Sequence, residues 1–272
     1  MWRDKIFRFG IILVLTILVL CVCLPWVMPQ DPYTQNLEEI SQPPSLSHPF
    51  GTDFFGRDLF SRILYGGRLS LTIGIIVTFF AVAIGTIIGM ISGYFGGWID
   101  VALMRFVDVM LGFPRLFILL TVVGFTRPSF GLMLVILSLF SWMEVARIVR
   151  AEVLTARERL YVKSAVALGL NRRRVLFRYI FPNILGPIIV SATLMIGSVI
   201  VIESGLSFIG LGVQPPGASW GTILNQGFQD LAGAWWITLF SGLAIVVTVI
   251  GFNLVGEGLI NVLDPKTGER EL

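Results

Sequence analysis

Charge is what this sequence has least of. Only 14 % of its 272 residues are Asp, Glu, Lys or Arg, against 55 % hydrophobic, whereas a water-soluble domain carries about 25 % charged side chains. That balance argues against a soluble enzyme. Histidine occurs once, as His48 beside Pro43, Pro44 and Pro49, so a His-based zinc site or an intramembrane metalloprotease cannot be assembled, and His48 reads as an ordinary loop residue. Lysine occurs three times, as Lys5, Lys163 and Lys266, never after a glycine. A phosphate-binding loop is thereby ruled out, because its lysine must reach the phosphates that glycine-rich backbone amides cradle. No paired carboxylates sit mid-span, as a proton-coupled carrier would show. The two cysteines, Cys21 and Cys23, lie in an apolar run, read as small apolar residues and say nothing about redox compartment. This polypeptide does not power itself.

What is present is hydrocarbon-compatible length. Mean hydropathy is +0.85, and charge-free stretches cover residues 9–30, 69–99, 116–126, 128–143, 179–202, 204–229 and 231–256. A bilayer core of about 30 Å takes roughly 20 helical residues to cross. The stretch 204–229 is uncharged without being apolar, with Pro215, Pro216, Gly217 and Ser219, and lipid cannot satisfy such a backbone. It reads as a loop or partly re-entrant segment. The stretch 116–126 is long enough only if it extends back past Arg115 and Pro114 toward Met110. The expected fold is all-α, a polytopic membrane bundle with six helices near 9–28, 69–92, 108–126, 130–149, 184–208 and 234–256. The first run exceeds the usual signal-peptide core of about 7–15 residues and no small-x-small site follows it, so an uncleaved first helix is expected.

Orientation follows from Lys and Arg in the connections. Arg3, Lys5 and Arg8 precede helix one, Arg105 and Arg115 lie in the second connection and the start of helix three, and Lys266 and Arg270 are in the tail. The connection after helix four holds Arg147, Arg150, Arg157, Arg159, Lys163, Arg172, Arg173, Arg174 and Arg178. The opposite face has only Arg57, Arg62, Arg68 and Arg127. Both termini are therefore expected in the cytoplasm. The basic balance reflects topology and calls for no nucleic-acid partner. Three segments follow: 1–67 with the first helix and first external loop, a five-helix core at 68–265, and a tail at 266–272.

Ala81, Gly85, Gly89 and Gly93 recur every four residues and line one face of helix two, letting another helix approach closely. This is either generic packing or a contact in a transport pathway. Ser241, Gly242, Gly251, Asn253 and Gly256 thin helix six, and Asn253 either bonds across helices or lines an aqueous path. Glu144 and Arg147, one turn apart, are expected to neutralise each other. The cytoplasmic connection 150–183 is the most informative segment. Residues 152–168 read as a helix ended by Gly169 in a left-handed turn. Asn171 then precedes Arg172-Arg173-Arg174 and a second helical stretch, and Pro182 opens helix five, where a first-turn proline is tolerated. The arginines alone would suit anionic headgroups as well as any protein.

This segment resembles the cytoplasmic loop of binding-protein-dependent ABC importer permeases, whose pattern is Glu-Ala-Ala, three residues, Gly, nine residues, Ile-x-Leu-Pro. Aligned on Gly169, Ala165 and Pro182 fall on motif positions, while Lys163, Ser164, Tyr179 and Phe181 replace the Glu, first Ala, Ile and Leu. Further segments resemble the dipeptide, oligopeptide and nickel branch, in particular its C-type subunit. They include His48 to Asp53 with Gly56-Arg57-Asp58, Gly93-Tyr94 with Gly96-Gly97-Trp98, Met104-Arg105 with Asp108, Leu206 to Gly212, Ser219-Trp220-Gly221, and Leu263-Asp264-Pro265. The set runs in order from about residue 8 to 265.

The resemblance implies a permease pair with the pathway between its members, two cytoplasmic ATPases that bind ATP and Mg, and an extracytoplasmic solute-binding protein, all in a prokaryotic inner membrane. The chain itself would hold no cofactor and catalyse nothing. Each permease loop would seat in a groove on one ATPase as a lever. Ala165 and Gly169 would supply the lever's packing face and end, with Arg172 to Arg174 touching ATPase acids or lipid. Asp53, Arg57 and Asp58 would be docking candidates or members of a self-contained loop network. Peptides are the leading solute, nickel or a nickel chelate the runner-up. A stand-alone carrier or channel, and a membrane scaffold, are the rivals from other classes.

Overall fold

The computed structural model describes residues 5–24, 31–125 and 129–263. All its named elements are helical: α1 (Lys5–Val22), α2 (Leu59–Phe95), α3 (Gly97–Leu111), α4 (Arg115–Phe125), α5 (Phe130–Arg157), α6 (Leu160–Ala167), α7 (Arg172–Val175) leading through a π-turn (Leu176–Ile180) into α8 (Phe181–Phe208), α9 (Trp220–Phe228) and α10 (Trp235–Leu263). Among the described residues five helices are long and apolar enough to cross a membrane: α1, α2, α5, the continuous Arg172–Phe208 and Trp235–Val262. Arg3, Arg127, Lys266, Arg270 and the 266–272 tail lie outside the described residues.

The expected third span, 108–126, is not one helix. The chain leaves helical geometry at Phe113-Pro114 between α3 and α4, where proline removes a donor and restricts the residue before it. With 11 residues α4 is about 16 Å long, half a hydrocarbon core. The path between α2 and α5 nonetheless returns across the bundle. A Cβ on Gly85 would meet the Trp142 carbonyl and Val145, one on Gly89 would meet Ala146 and Val149, and one on Gly93 would meet Arg150 and Val153. Both sequences advance together, so α2 and α5 run in parallel. The segment 96–129 must therefore climb from the end of α2 to the start of α5.

The remaining helices alternate. Ser70 and Gly74 of α2 face Glu203 and Ile200 of α8, an antiparallel register. Gly256 of α10 faces Leu194 of α8, and Gly197 of α8 faces Val249 and Asn253 of α10, antiparallel again. Gly10, Gly251 and Gly258 let α1 and α10 touch through Leu254, Val14 and Phe7. Lys5 and Leu263 thus lie at the end of the bundle that also carries 158–180.

Two boundaries differ from expectation. Helix two begins at Leu59 rather than 69, so a division at 67/68 falls inside it. Its extra turns tolerate charge because Asp58 caps them by accepting from the Ser61 N–H at 2.8 Å, while Arg68 donates to the last carbonyls of α1, Cys21 at 2.8 Å and Val22 at 2.7 Å. The expected 152–168 helix is broken at Glu158-Arg159, and Arg159 is extended. That turn lets Val162 and Ala165 fold back into a buried cluster with Val149, Val153, Ala156, Val175 and Ile180, which a straight helix would leave in solvent.

Candidate functional site

The 158–180 projection is built from its turns. Helix α6 closes with a complete Schellman arrangement: the Leu170 N–H donates to the Ala165 carbonyl at 3.2 Å and the Gly169 N–H to the Val166 carbonyl at 3.0 Å. That motif needs a left-handed residue after the helix, and Gly169 has φ +75°. Asn171 then caps α7, its side chain accepting from the Arg173 N–H at 3.2 Å. Pro182 falls in the first turn of α8, next to the π-turn, whose looser winding accommodates the hydrogen bond that proline cannot donate. The Asn183 amide donates to the Tyr179 carbonyl at 2.7 Å in the same stretch.

Ala165 is buried in the cluster that joins α6 to α5 and α8, while Ser164 and Gly169 are exposed. The projection is thus packed onto two long helices rather than tethered to them. Lys163, where the family pattern has glutamate, pairs with Glu158 at 2.8 Å. That ammonium, hydrogen-bonded to it, holds the Glu158 carboxyl below its usual range. Arg172, Arg173 and Arg174 are all exposed. Arg172 lines a cavity of about 550 Å³ with Tyr94, Arg157, Lys163 and Val166, beside the end of α2. The tip presents apolar groups instead of hiding them: Leu160 and Leu168 are 82 % and 81 % exposed. A rigid, glycine-ended, apolar-tipped knob with a basic flank can receive a push from a partner and pass it to α5 and α8.

At the opposite end, residues 31–58 fold onto the first turns of α2. Asp53 and Asp58 are buried, and Arg57 is half-buried. The Asp53 carboxylate accepts from the Arg57 Nε at 2.7 Å and from the backbone N–H groups of Phe55 and Arg57. Arg62 Nε lies 3.2 Å from the same carboxylate. Asp58 bonds His48 Nδ1 at 2.9 Å, and His48 Nε2 lies 3.5 Å from Glu39. His48 is therefore a buried tie rather than a plain loop residue. The Trp236 indole donates to the Thr52 carbonyl at 3.1 Å, fastening the loop to α10. These side chains form a hydrogen-bonded network within the loop, which Arg62 extends to Gln226 of α9 at 3.3 Å.

Gly85, Gly89 and Gly93 make the α2–α5 seam described above. Asn253 is exposed on α10 beside Gly197 of α8. Arg147 bonds Asp108 of α3 at 2.5 Å, a tie between neighbouring helices. Arg150 holds Asp100 through both donors, at 2.5 and 2.6 Å. The sequence alone assigned no individual role to Asp100 or Glu203, each of which the fold ties to another helix. Glu203 carried a readable signal: a lone carboxylate in an apolar run, followed by serines one and four residues on.

Comparison with known proteins agrees with this geometry. Residues 85–269 match the family described as binding-protein-dependent transport system inner membrane component, and residues 1–44 match the N-terminal TM domain of oligopeptide transport permease C. The dipeptide transport system permease protein DppC of Alkalihalophilus pseudofirmus is 38 % identical over 264 residues, covering 97 % of this chain and 87 % of the relative. The oligopeptide transport system permease protein OppC of Haemophilus influenzae is 36 % identical, with 98 % and 89 % covered. The probable D,D-dipeptide transport system permease protein DdpC of Escherichia coli is also 36 % identical, with 96 % and 87 % covered.

Proposed function

This chain belongs to the family of binding-protein-dependent transport system inner membrane components, and from that premise we propose that it is the C-type permease subunit of an ATP-binding-cassette importer of dipeptides or oligopeptides. The observation that carries the reading is the rigid projection at 158–180, closed by Gly169 and tipped by Leu160 and Leu168. An apolar tip held in water beside exposed arginines fits a protein groove better than a lipid surface alone. ATP and Mg belong to two cytoplasmic ATPases that grip this knob. Their clamping moves it, and its packed contacts with α5 and α8 convert the movement into a rigid-body change between two arrangements of the spans.

In this reading the 158–180 end faces the cytoplasm with both chain ends, as the excess of Lys and Arg there requires, and α3 with α4 makes a sixth crossing. The 31–58 loop and the 209–234 segment face outward to the solute-binding protein, with Asp53, Arg57 and Asp58 holding the loop in shape beneath its exposed surface. A second permease subunit covers the exposed sides of α8 and α10, where Asn253 lies. Peptides are favoured over nickel because the relatives named above are peptide permeases. The test is uptake of a labelled dipeptide into proteoliposomes holding this chain, its partner permease, both ATPases and the binding protein. Uptake that requires ATP and every component supports the proposal. Flux through this chain alone, without ATP, identifies a carrier or channel instead.

A further inference from the structure

One carboxylate lies inside the apolar bundle with no part in the lever just described. Glu203 of α8 has no exposed surface. Its Oε2 accepts from Ser70 Oγ of α2 at 2.9 Å and from Ser204 Oγ at 3.4 Å, and its Oε1 accepts from Ser207 Oγ at 2.7 Å. Ser70 Oγ accepts in turn from the N–H of Trp220, the first residue of α9, at 3.3 Å. Residues of three helices thus meet at one hydrogen-bonded node, which α9 reaches through the Trp220 N–H. The surrounding glycines make the approach possible. A Cβ on Gly221 would collide with the Ser204 carbonyl, and one on Gly212 with the Ser207 hydroxyl. The Leu206–Gly212 and Ser219-Trp220-Gly221 segments are therefore two walls of one cradle.

An ionisable group in a membrane bundle is expensive and is by default a functional candidate. Here removing it would also take the acceptor from the buried hydroxyls of Ser70, Ser204 and Ser207, and a buried donor left unpaired is costly. We infer that Glu203 is a positioning residue for transport: it pins the outer 209–234 segment, through α9, to α2 and α8 so that all three move as one body. This rests on the transporter reading above. A segment held by apolar contact alone can slide when the spans rearrange, whereas one fixed at a directional node keeps its register with them.

The experiment uses the assembled complex in lipid with Glu203→Leu, Glu203→Gln and Ser70→Ala, and reads two quantities. The first is amide hydrogen exchange over 220–228, and the second is ATP-driven dipeptide uptake. Glu203→Leu is expected to speed exchange in α9 about tenfold or more and to lower uptake by a similar factor. Glu203→Gln, which keeps an acceptor oxygen, restores most of both. Ser70→Ala alone speeds α9 exchange but adds little in the Glu203→Leu background. Unchanged α9 exchange in Glu203→Leu overturns the inference, and so does fast exchange with full uptake. If Glu203→Leu fails to assemble, Ser70→Ala and Glu203→Gln decide: normal α9 exchange in Ser70→Ala overturns the node. A wild-type complex without ATP-driven uptake would fail the transporter reading, while exchange would still judge whether Glu203 pins α9.

Discussion

Gly89→Ala is the smallest change that should separate α2 from α5. A Cβ there would stand 2.6 Å from the Ala146 carbonyl oxygen, 2.8 Å from the Val149 Cβ and 3.0 Å from the Arg150 nitrogen. Two of those three atoms are backbone, so no rotamer change relieves the clash and the helices themselves must part. Overpacking of this kind costs about 1–3 kcal/mol, while alanine returns up to about 1 kcal/mol through helix propensity. Because the clashing atoms include backbone the upper end of that cost applies, and the net expectation is a loss of about 2 kcal/mol for alanine and more for leucine. Gly131→Ala, at a position where a Cβ meets nothing within 4 Å, is the matched control and should be neutral or slightly stabilising. The assay is thermal denaturation of the detergent-solubilised complex, scored by the fraction still monodisperse. A Gly89→Ala protein as heat-resistant as wild type, or less impaired than Gly131→Ala, refutes the reasoning that backbone contact makes this seam.

Three further outcomes follow from other parts of the molecule. Gly169→Val places a β-branched residue at φ +75°, a conformation such residues avoid; membrane insertion should persist while ATP-driven uptake is lost, and normal uptake would contradict the lever. Lys163→Met removes the cation that depresses the Glu158 carboxyl. The pair's stabilising share is present above the ordinary carboxylate range and is lost as pH falls through the lowered value, so wild type and variant should differ slightly near neutrality, converge in acid and converge in high salt, because the pair is exposed. Melting curves across pH check it. Arg68→Ala frees the carbonyl end of α1, and alkylation of Cys21, only 3 % exposed in the native fold, by a membrane-permeant maleimide should accelerate.

Much of the architecture could be read from the chain because the lipid-facing requirement is written in composition. Long charge-free runs mark spans, and the Gly85, Gly89 and Gly93 spacing marks a close helix approach. Gly169 was legible as a helix stop because few other residues tolerate that turn. The helix boundaries were less so. Arg62 and Arg68 look like reasons to start α2 late, yet each finds a partner in folded space, Gln226 for the one and α1 carbonyls for the other. Those partners are 164 and 47 residues away, a distance that local patterning does not see. The break at Glu158-Arg159 has the same origin, since only the packed cluster shows why α6 must turn back. The Arg147–Asp108 bond joins residues on two helices, which spacing along one helix does not show. For Asp53 and Asp58 the sequence left docking and a loop network both open, because burial depends on how 31–58 folds onto α2 and not on their immediate neighbours.

The most direct test of the lever is a single cysteine at Leu168, with Cys21 and Cys23 replaced, in the assembled transporter in intact cells. The account predicts that this thiol reacts with a bifunctional reagent to give an adduct with the ATPase subunit and resists an impermeant maleimide added from outside. Labelling from outside, or an assembled complex whose Leu168→Cys never joins an ATPase, would contradict it.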